Sequence, residues 1–316
     1  MKVRTTLLCL ALLGSMILFP TAAFSWGSAV HAYIGDKLGA QEGLLNKNEV
    51  YGSMAPDLFN FQLTKPEYRI FLYGQTHNNF QKVLDEAKSQ PAMALAFGFL
   101  SHHGADYTAH DSGITFGQDQ GYIIAKAESL LTILKGIREY QALTIPDEVG
   151  MEVAHQLVEN AVDILMKRLD SKIGEKIIAA ALPPNPNMPL LVVKAYAGDL
   201  ASYAGISERE AASFIASSDR QFRNILILYG QALMLDEAAA VPALAEQLAD
   251  LAKAFLVAYG IILPEGTELV PFVQLGITQA MLLCEDDFAG EVAATINDIE
   301  QQPLMQELVK YRARLK

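Results

Sequence analysis

The chain has 316 residues, of which 51% are hydrophobic, so it can bury a sizeable core as one large domain or two small ones. Its formal net charge is −12, which argues against broad electrostatic binding to nucleic acid.

The first 25 residues are typical of a secretory signal peptide. Two basic residues precede the apolar run Leu7–Phe19, and Ala23-Phe-Ser25 is a small-x-small cleavage site. The run is short for a membrane span, so we predict cleavage before Trp26 rather than an uncleaved anchor. Cleavage would remove Cys9 and two positive charges, which leaves a single cysteine and a formal charge of −14. We therefore expect a secreted or periplasmic protein with no transmembrane span.

Helical patterns begin directly after this segment. Ser28–Leu38 has helical periodicity, whereas Tyr51–Phe61 is irregular because it contains glycine, proline and asparagine. Lys65–Tyr73 predicts a short helix that ends at Gly74. Thr76 would then cap the next helix and place a histidine at its first position.

The next segments are longer and more regular. Pro91–His110 predicts a helix that is buried, because nearly every residue before His102 is apolar or small. Asp111–Gly121 carries three glycines and predicts a loop. Tyr122–Tyr140 and Val149–Leu169 have apolar residues at three- and four-residue steps, which predicts two amphipathic helices.

A proline-rich breaker, Leu182–Pro189, divides the chain, since four prolines within seven residues cannot continue a helix. Beyond it we predict the helices Ser207–Ala216, Asp219–Leu235, Pro242–Tyr259, Leu269–Leu283, Phe288–Ile299 and Leu304–Leu315. No alternation typical of strands persists anywhere, so the predicted fold is all-α.

Three polar side chains share one face of the Pro91–His110 helix. His102, Asp106 and His110 stand four residues apart, so they stack within reach of one metal ion. Imidazoles and a carboxylate suit Zn²⁺, although a stripe of partnered polar groups has the same pattern. His103 also shares a face with Asp106 and His110, so spacing alone does not separate it from His102.

A second helix repeats the pattern with His155 and Glu159, which would hold a metal ion or form a surface pair. None of the six histidines follows His155, so the chemistry is expected within Trp26–Leu169.

Taken in order, the candidate residues resemble the zinc-dependent phospholipase C family. The set is Trp26, His31, Asp57, His77, His102, Asp106, His110, His155 and Glu159. The run His-Gln-Leu-Val-Glu-Asn-Ala-Val-Asp, residues 155–163, is similar to the last ligand helix of bacterial phospholipases C. Fungal single-strand-specific zinc nucleases and the catalytic domain of glycosylphosphatidylinositol-specific phospholipase D share this family's architecture.

The resemblance implies three zinc ions in a cleft between helices. One would be held by Asp57, His77, His102 and Asp106. A second would be held by His110, His155 and Glu159. The third would be held by the α-amino nitrogen and carbonyl oxygen of Trp26, by His31 and by a bridging Asp106. The resemblance also selects His102 over His103, because the family has a histidine four residues before the bridging aspartate.

One feature departs from the phospholipases C and the nucleases. They usually carry a longer segment with Gln-Pro after the bridging aspartate, whereas here Asp106-Tyr-Thr-Ala-His110 is a direct helical step. That step is more like the phospholipase D branch. The resemblance therefore predicts the metal ligands of this chain better than it predicts its substrate.

The resemblance implies a secreted zinc-dependent phosphodiesterase, foremost a phospholipase C, in which Asp57 orients or deprotonates the water. Phospholipid is the expected partner, met at a membrane surface, and nucleic acid is not favoured. The alternatives are a zinc nuclease of the same architecture and an inactive, zinc-stabilised helical binding module. The predicted regions are the signal peptide (1–25), a catalytic region (26–182) and a helical C-terminal region of unknown role (183–316).

Overall fold

The computed structural model describes residues 26–39, 43–62, 64–110, 121–182, 187–258, 260–263 and 266–314. Within these ranges it has fifteen α-helices, two 3-10 helices and no β-strand, so the predicted all-α fold is confirmed. None of the described helices is long and apolar enough to cross a lipid bilayer. The predicted signal peptide, residues 111–120 of the predicted loop and residues 183–186 of the breaker lie outside the described residues.

The helices that carry the candidate ligands come first in the chain. The eight helices nearest the N-terminus are α1 (Ser28–Gly39), α2 (Gly43–Met54), α3 (Pro66–Asn78), α4 (Gln81–Glu86), α5 (Gln90–His110), α6 (Tyr122–Lys135), α7 (Arg138–Leu143) and α8 (Asp147–Leu165). The other seven are α9 (Ile173–Ala181), α10 (Leu190–Ala204), α11 (Glu208–Met234), α12 (Glu237–Ala258), α13 (Val270–Cys284), α14 (Phe288–Gln301) and α15 (Pro303–Arg314). The 3-10 helices are Ala55–Phe59 and Met166–Arg168.

The predicted break at Gly74 is wrong, because α3 continues without interruption through Gly74 to Asn78. A glycine inside a helix costs only about 1 kcal/mol relative to alanine, so the rest of α3 outweighs it. Thr76 is not a cap: its buried hydroxyl donates to the Tyr73 carbonyl oxygen at 2.9 Å, within the same helix. His77 consequently lies in the last turn of α3 and not in the first turn of a new helix.

Other helix boundaries also differ from the predictions. The segment Tyr51–Phe61 was predicted to be irregular, but α2 extends through its first residues to Met54. Helix α12 begins at Glu237 and contains Pro242, which was predicted to be its first residue.

The predicted helices Ser207–Ala216 and Asp219–Leu235 form the single helix α11. Ser218, at the expected break, donates its hydroxyl to the Phe214 carbonyl oxygen at 3.0 Å within the helix and does not end it. The predicted helix Tyr122–Tyr140 is divided at Gly136 into α6 and α7.

Helices α2 and α5 pack backbone against backbone. A β-carbon on Gly52 would lie 2.1 Å from the Leu95 carbonyl oxygen, and one on Gly98 would lie 2.2 Å from the Glu49 carbonyl oxygen. Only glycine allows this approach, which brings the Ser53 carbonyl oxygen within 2.9 Å of His102 Nδ1. The close packing of these two helices therefore positions a candidate ligand.

The C-terminal helices pack directly on the helices that carry the candidate ligands. A β-carbon on Gly104 of α5 would lie 2.7 Å from Ile299 Cγ1 of α14. The hydroxyls of Thr108 and Thr295 are 3.1 Å apart between the same two helices. A single buried cluster of apolar residues extends from Trp26 to Leu308. The described C-terminal helices therefore form one core with the ligand helices.

Candidate metal centre

Eight of the nine predicted site residues form three groups of potential metal ligands. The groups are His31, His102 and Asp106; Asp57, His77 and His102; and His110, His155 and Glu159. In each group the nitrogen and oxygen atoms lie within 4.8 Å of one another. The first two groups share His102, so they form one continuous cluster.

His102 is the central residue of the first cluster. Its Nδ1 faces the Ser53 carbonyl oxygen, which can only accept, so Nδ1 carries a proton and Nε2 is the nitrogen left to bind a metal ion. Nε2 lies 3.0 Å from Asp106 Oδ2, one turn further along α5. Holding a ligand imidazole by its second nitrogen is the usual way to orient it towards a metal.

His77 is held in the same manner from α3. Its Nδ1 lies 2.9 Å from the Tyr73 carbonyl oxygen, which directs Nε2 towards the cluster. Nε2 lies 3.4 Å from His102 Nε2 and 3.7 Å from Asp57 Oδ1. Asp57 follows a proline in the 3-10 helix, and Asn60 Nδ2 donates to its Oδ1 at 3.0 Å.

Asp106 belongs to the first group and also faces His77 of the second group. Its Oδ1 is 3.3 Å from His31 Nε2, while its Oδ2 faces His102 and, at 3.8 Å, His77 Nε2. Burial alone would raise the pKa of Asp106, but the neighbouring His102 and His31 hold it well below its usual value. An ionised carboxylate with one oxygen towards each group is suited to bridge two metal ions.

The second cluster joins α5 to α8. His110 Nε2 lies 3.2 Å from His155 Nε2, and His155 Nε2 lies 3.0 Å from Glu159 Oε1. Burial, together with the charges of neighbouring carboxylates, raises the pKa of Glu159 well above its usual value. A bound cation would stabilise the ionised carboxylate, so these donors fit a zinc ion.

Trp26 lies just before α1 and is 1% exposed, with its ring stacked on Tyr122 at a centroid distance of 5.4 Å. The Gly27 carbonyl oxygen accepts from the His31 backbone N–H at 3.1 Å, so one helical turn joins His31 to the residue that follows Trp26. Ligation by the Trp26 backbone stays a prediction.

His103 belongs to none of the three groups. Its ring stacks on Phe80 at a centroid distance of 4.2 Å. The choice of His102 over His103 as a ligand stays a prediction.

Two residues beside the clusters were not predicted. The ring centroid of Tyr73 lies 3.9 Å from that of His77, and burial raises the Tyr73 pKa well above its usual value. Asp163 continues the spacing of His155 and Glu159 by one more turn of α8 and is fully buried. The four-residue spacing from Glu159 could have indicated that Asp163 lies on the same face of α8. Its role could not be predicted, because its partners are far away in the sequence.

Comparison with known proteins agrees with this geometry. The family model described as zinc dependent phospholipase C matches residues 27–203, which is more than half of the chain. No curated protein and no solved structure gives a significant match. The chain therefore belongs to the zinc-dependent phospholipase C family.

Proposed function

We propose that this protein is a secreted phosphodiesterase that uses bound zinc to hydrolyse the phosphodiester bond of phospholipids, as a phospholipase C. The observation that carries the proposal is the convergence of three histidine and carboxylate groups from α1, α3, α5, α8 and the Ala55–Phe59 turn. Such a concentration of buried ligand types is costly unless a cation is bound.

Zinc would be distributed over the clusters as the family resemblance implies. His110, His155 and Glu159 would hold one ion. Asp57, His77, His102 and Asp106 would hold another, and Trp26 and His31 would share Asp106 with the third. Bound zinc would supply positive charge that lowers the pKa of water and stabilises charge on the phosphoryl oxygens.

The chain's own residues would handle the proton and the geometry. Asp57 would accept the proton of the attacking water, because its carboxylate lies at the edge of the shared cluster and is held by Asn60. The carbonyl oxygens of Ser53 and Tyr73 would keep His102 and His77 in the tautomer with a free Nε2.

A phospholipid is the favoured substrate over nucleic acid for an electrostatic reason. The formal charge of −12 disfavours a polyanion that needs broad contact with many phosphates, whereas a phospholipid presents one phosphodiester. Phosphatidylcholine and phosphatidylinositol are the two phospholipids to compare first.

The test uses the Trp26-initiated protein with phospholipid vesicles and, separately, single-stranded DNA. We expect phosphodiester hydrolysis on vesicles that a chelator abolishes and added zinc restores. Faster hydrolysis of DNA would assign the protein as a nuclease. Zinc binding without turnover of either substrate would assign it as a binding module. His102→Ala should be inactive, and the neighbouring His103→Ala is the matched control that should keep activity.

A further inference from the structure

The start of α1 is held by a side chain from a distant helix. Asp163 Oδ2 accepts from the Ala29 backbone N–H at 2.9 Å, and Asp163 Oδ1 accepts from Val30 at 3.0 Å. The first N–H groups of a helix have no partner within it, and they carry partial positive charge. A fully buried carboxylate at this point satisfies two of them and fixes where α1 begins.

The third contact of this carboxylate comes from the region beyond the family match. The hydroxyl of Tyr229 on α11 donates to Asp163 Oδ2 at 2.7 Å and lies 2.9 Å from Asn160 Oδ1. Burial raises the pKa of Asp163 to about 7, while these three donors stabilise its ionised form. Tyr229 therefore fixes the orientation of the carboxylate that holds α1.

The residue after Trp26 is adapted to the same contact. A β-carbon on Gly27 would lie 2.5 Å from the Asp163 carboxyl carbon, closer than any ordinary contact. Glycine at this position lets the carboxylate reach the helix start. Trp26 and His31 lie on either side of the anchored turn.

We propose that Asp163 is a positioning residue for the N-terminal metal site: it fixes the start of α1 and so places Trp26 and His31 beside Asp106, with Tyr229 orienting its carboxylate. Asp163 lies on α8 together with His155 and Glu159, so the same helix would carry ligands of one zinc and the anchor for another. The zinc part of this proposal rests on the proposed function, whereas the anchoring of Trp26 does not.

The chain contains one tryptophan, so intrinsic tryptophan fluorescence reports on Trp26 alone. The test compares the Trp26-initiated protein with Asp163→Asn, first without metal and then after zinc reconstitution. Asparagine presents an amide NH₂ where the second helix N–H needs an acceptor, so one bond is lost and α1 shifts. We expect emission at longer wavelength, stronger quenching by iodide and the loss of one zinc per chain.

Tyr51→Phe is the matched control, because Tyr51 also donates to a buried aspartate, Asp219, at 2.7 Å. It removes a comparable bond without touching α1, so it should leave both tryptophan emission and zinc content unchanged. Gly27→Ala and Tyr229→Phe keep the Asp163 charge and serve if Asp163→Asn does not fold. Both should shift the emission in the same direction, Tyr229→Phe by the smaller amount.

Unchanged emission and zinc content in a folded Asp163→Asn protein, or in both substitute variants, would overturn the anchoring. A Tyr51→Phe protein that shifts the tryptophan emission as much as Asp163→Asn would also overturn the anchoring. If the wild-type protein binds no zinc but Asp163→Asn still shifts the tryptophan emission, the anchoring is supported and the proposed function is rejected. The two failures are therefore distinguishable.

Discussion

His102 Nε2 lies 3.0 Å from Asp106 Oδ2, one helical turn away on α5. Burial alone would lower the pKa of His102, but the charges of Asp106 and Asp57 outweigh it and raise that pKa to about 9 in the metal-free protein. At neutral pH the imidazole is then protonated, so zinc must displace this proton before Nε2 can bind it.

The apparent zinc affinity should therefore rise with pH up to about 9. A ligand pKa above the working pH weakens binding by about tenfold for each pH unit between them. Isothermal titration of zinc at pH 7, in buffers of different ionisation enthalpy, should detect proton release. His103→Ala should show the same release. Affinity that is constant between pH 6 and 8 would contradict this account of His102.

Asp57→Asn should lose at least about 100-fold in turnover while the protein stays folded. The amide keeps the shape of the side chain but cannot accept a proton or add negative charge. The measurement is the rate of phospholipid hydrolysis beside a circular-dichroism melt. Asn60→Ala, which removes only the donor to Asp57 Oδ1, should have a much smaller effect. A nearly normal rate in Asp57→Asn would exclude Asp57 from the mechanism.

His155→Ala should release one zinc, and His103→Ala should release none. His155 Nε2 faces both His110 and Glu159, whereas His103 stacks on Phe80 outside the ligand groups. Elemental analysis of the two dialysed variants is sufficient to decide. Loss of metal from His103→Ala, with His102→Ala unaffected, would reverse the choice between the neighbouring histidines.

A protein that retains one residue before Trp26 should bind fewer zinc ions and hydrolyse phosphodiesters poorly. The α-amino group created by cleavage has a reference pKa of roughly 7.7–8.0 and binds zinc once deprotonated, whereas a peptide amide does not. Its own carbonyl oxygen completes a chelate. The comparison is zinc content and rate for the Trp26-initiated and extended proteins. Equal values would leave at most two zinc sites.

Gly104→Ala should destabilise the protein by about 1–3 kcal/mol, because the added methyl group would press on Ile299. Gly290→Ala is the matched control on α14: no atom lies within 4 Å of its β-carbon, so it should stabilise by about 0.5 kcal/mol. Denaturant unfolding of both variants gives the comparison. A neutral Gly104→Ala would mean that the contact between α5 and α14 is loose.

The candidate ligands were accessible from the sequence because helical spacing is local. The pairs His102 with Asp106 and His155 with Glu159 each follow from one turn of helix, and each pair lies 3.0 Å apart. Assigning Asp57, His77 and His31 to clusters needed the family resemblance, since spacing within one element says nothing about its neighbours.

Contacts between distant parts of the chain explain what the sequence could not predict. Asp163 holds the start of α1 across 134 residues, and no local pattern indicates such a partner. The break predicted at Gly74 failed for a related reason, since the packing of α3 against the Ala55–Phe59 3-10 helix and against α10 outweighs the low helix propensity of one glycine.

The bond between Thr108 and Thr295 joins residues 187 positions apart, at the back of the helix that carries His102, Asp106 and His110. A contact of such long sequence separation is entropically costly to form, because a large loop must close first. During synthesis the ligands of α5 would emerge long before the helix that packs behind them. A nascent chain, or one clipped before α14, would therefore carry every zinc ligand without the support that holds them in register.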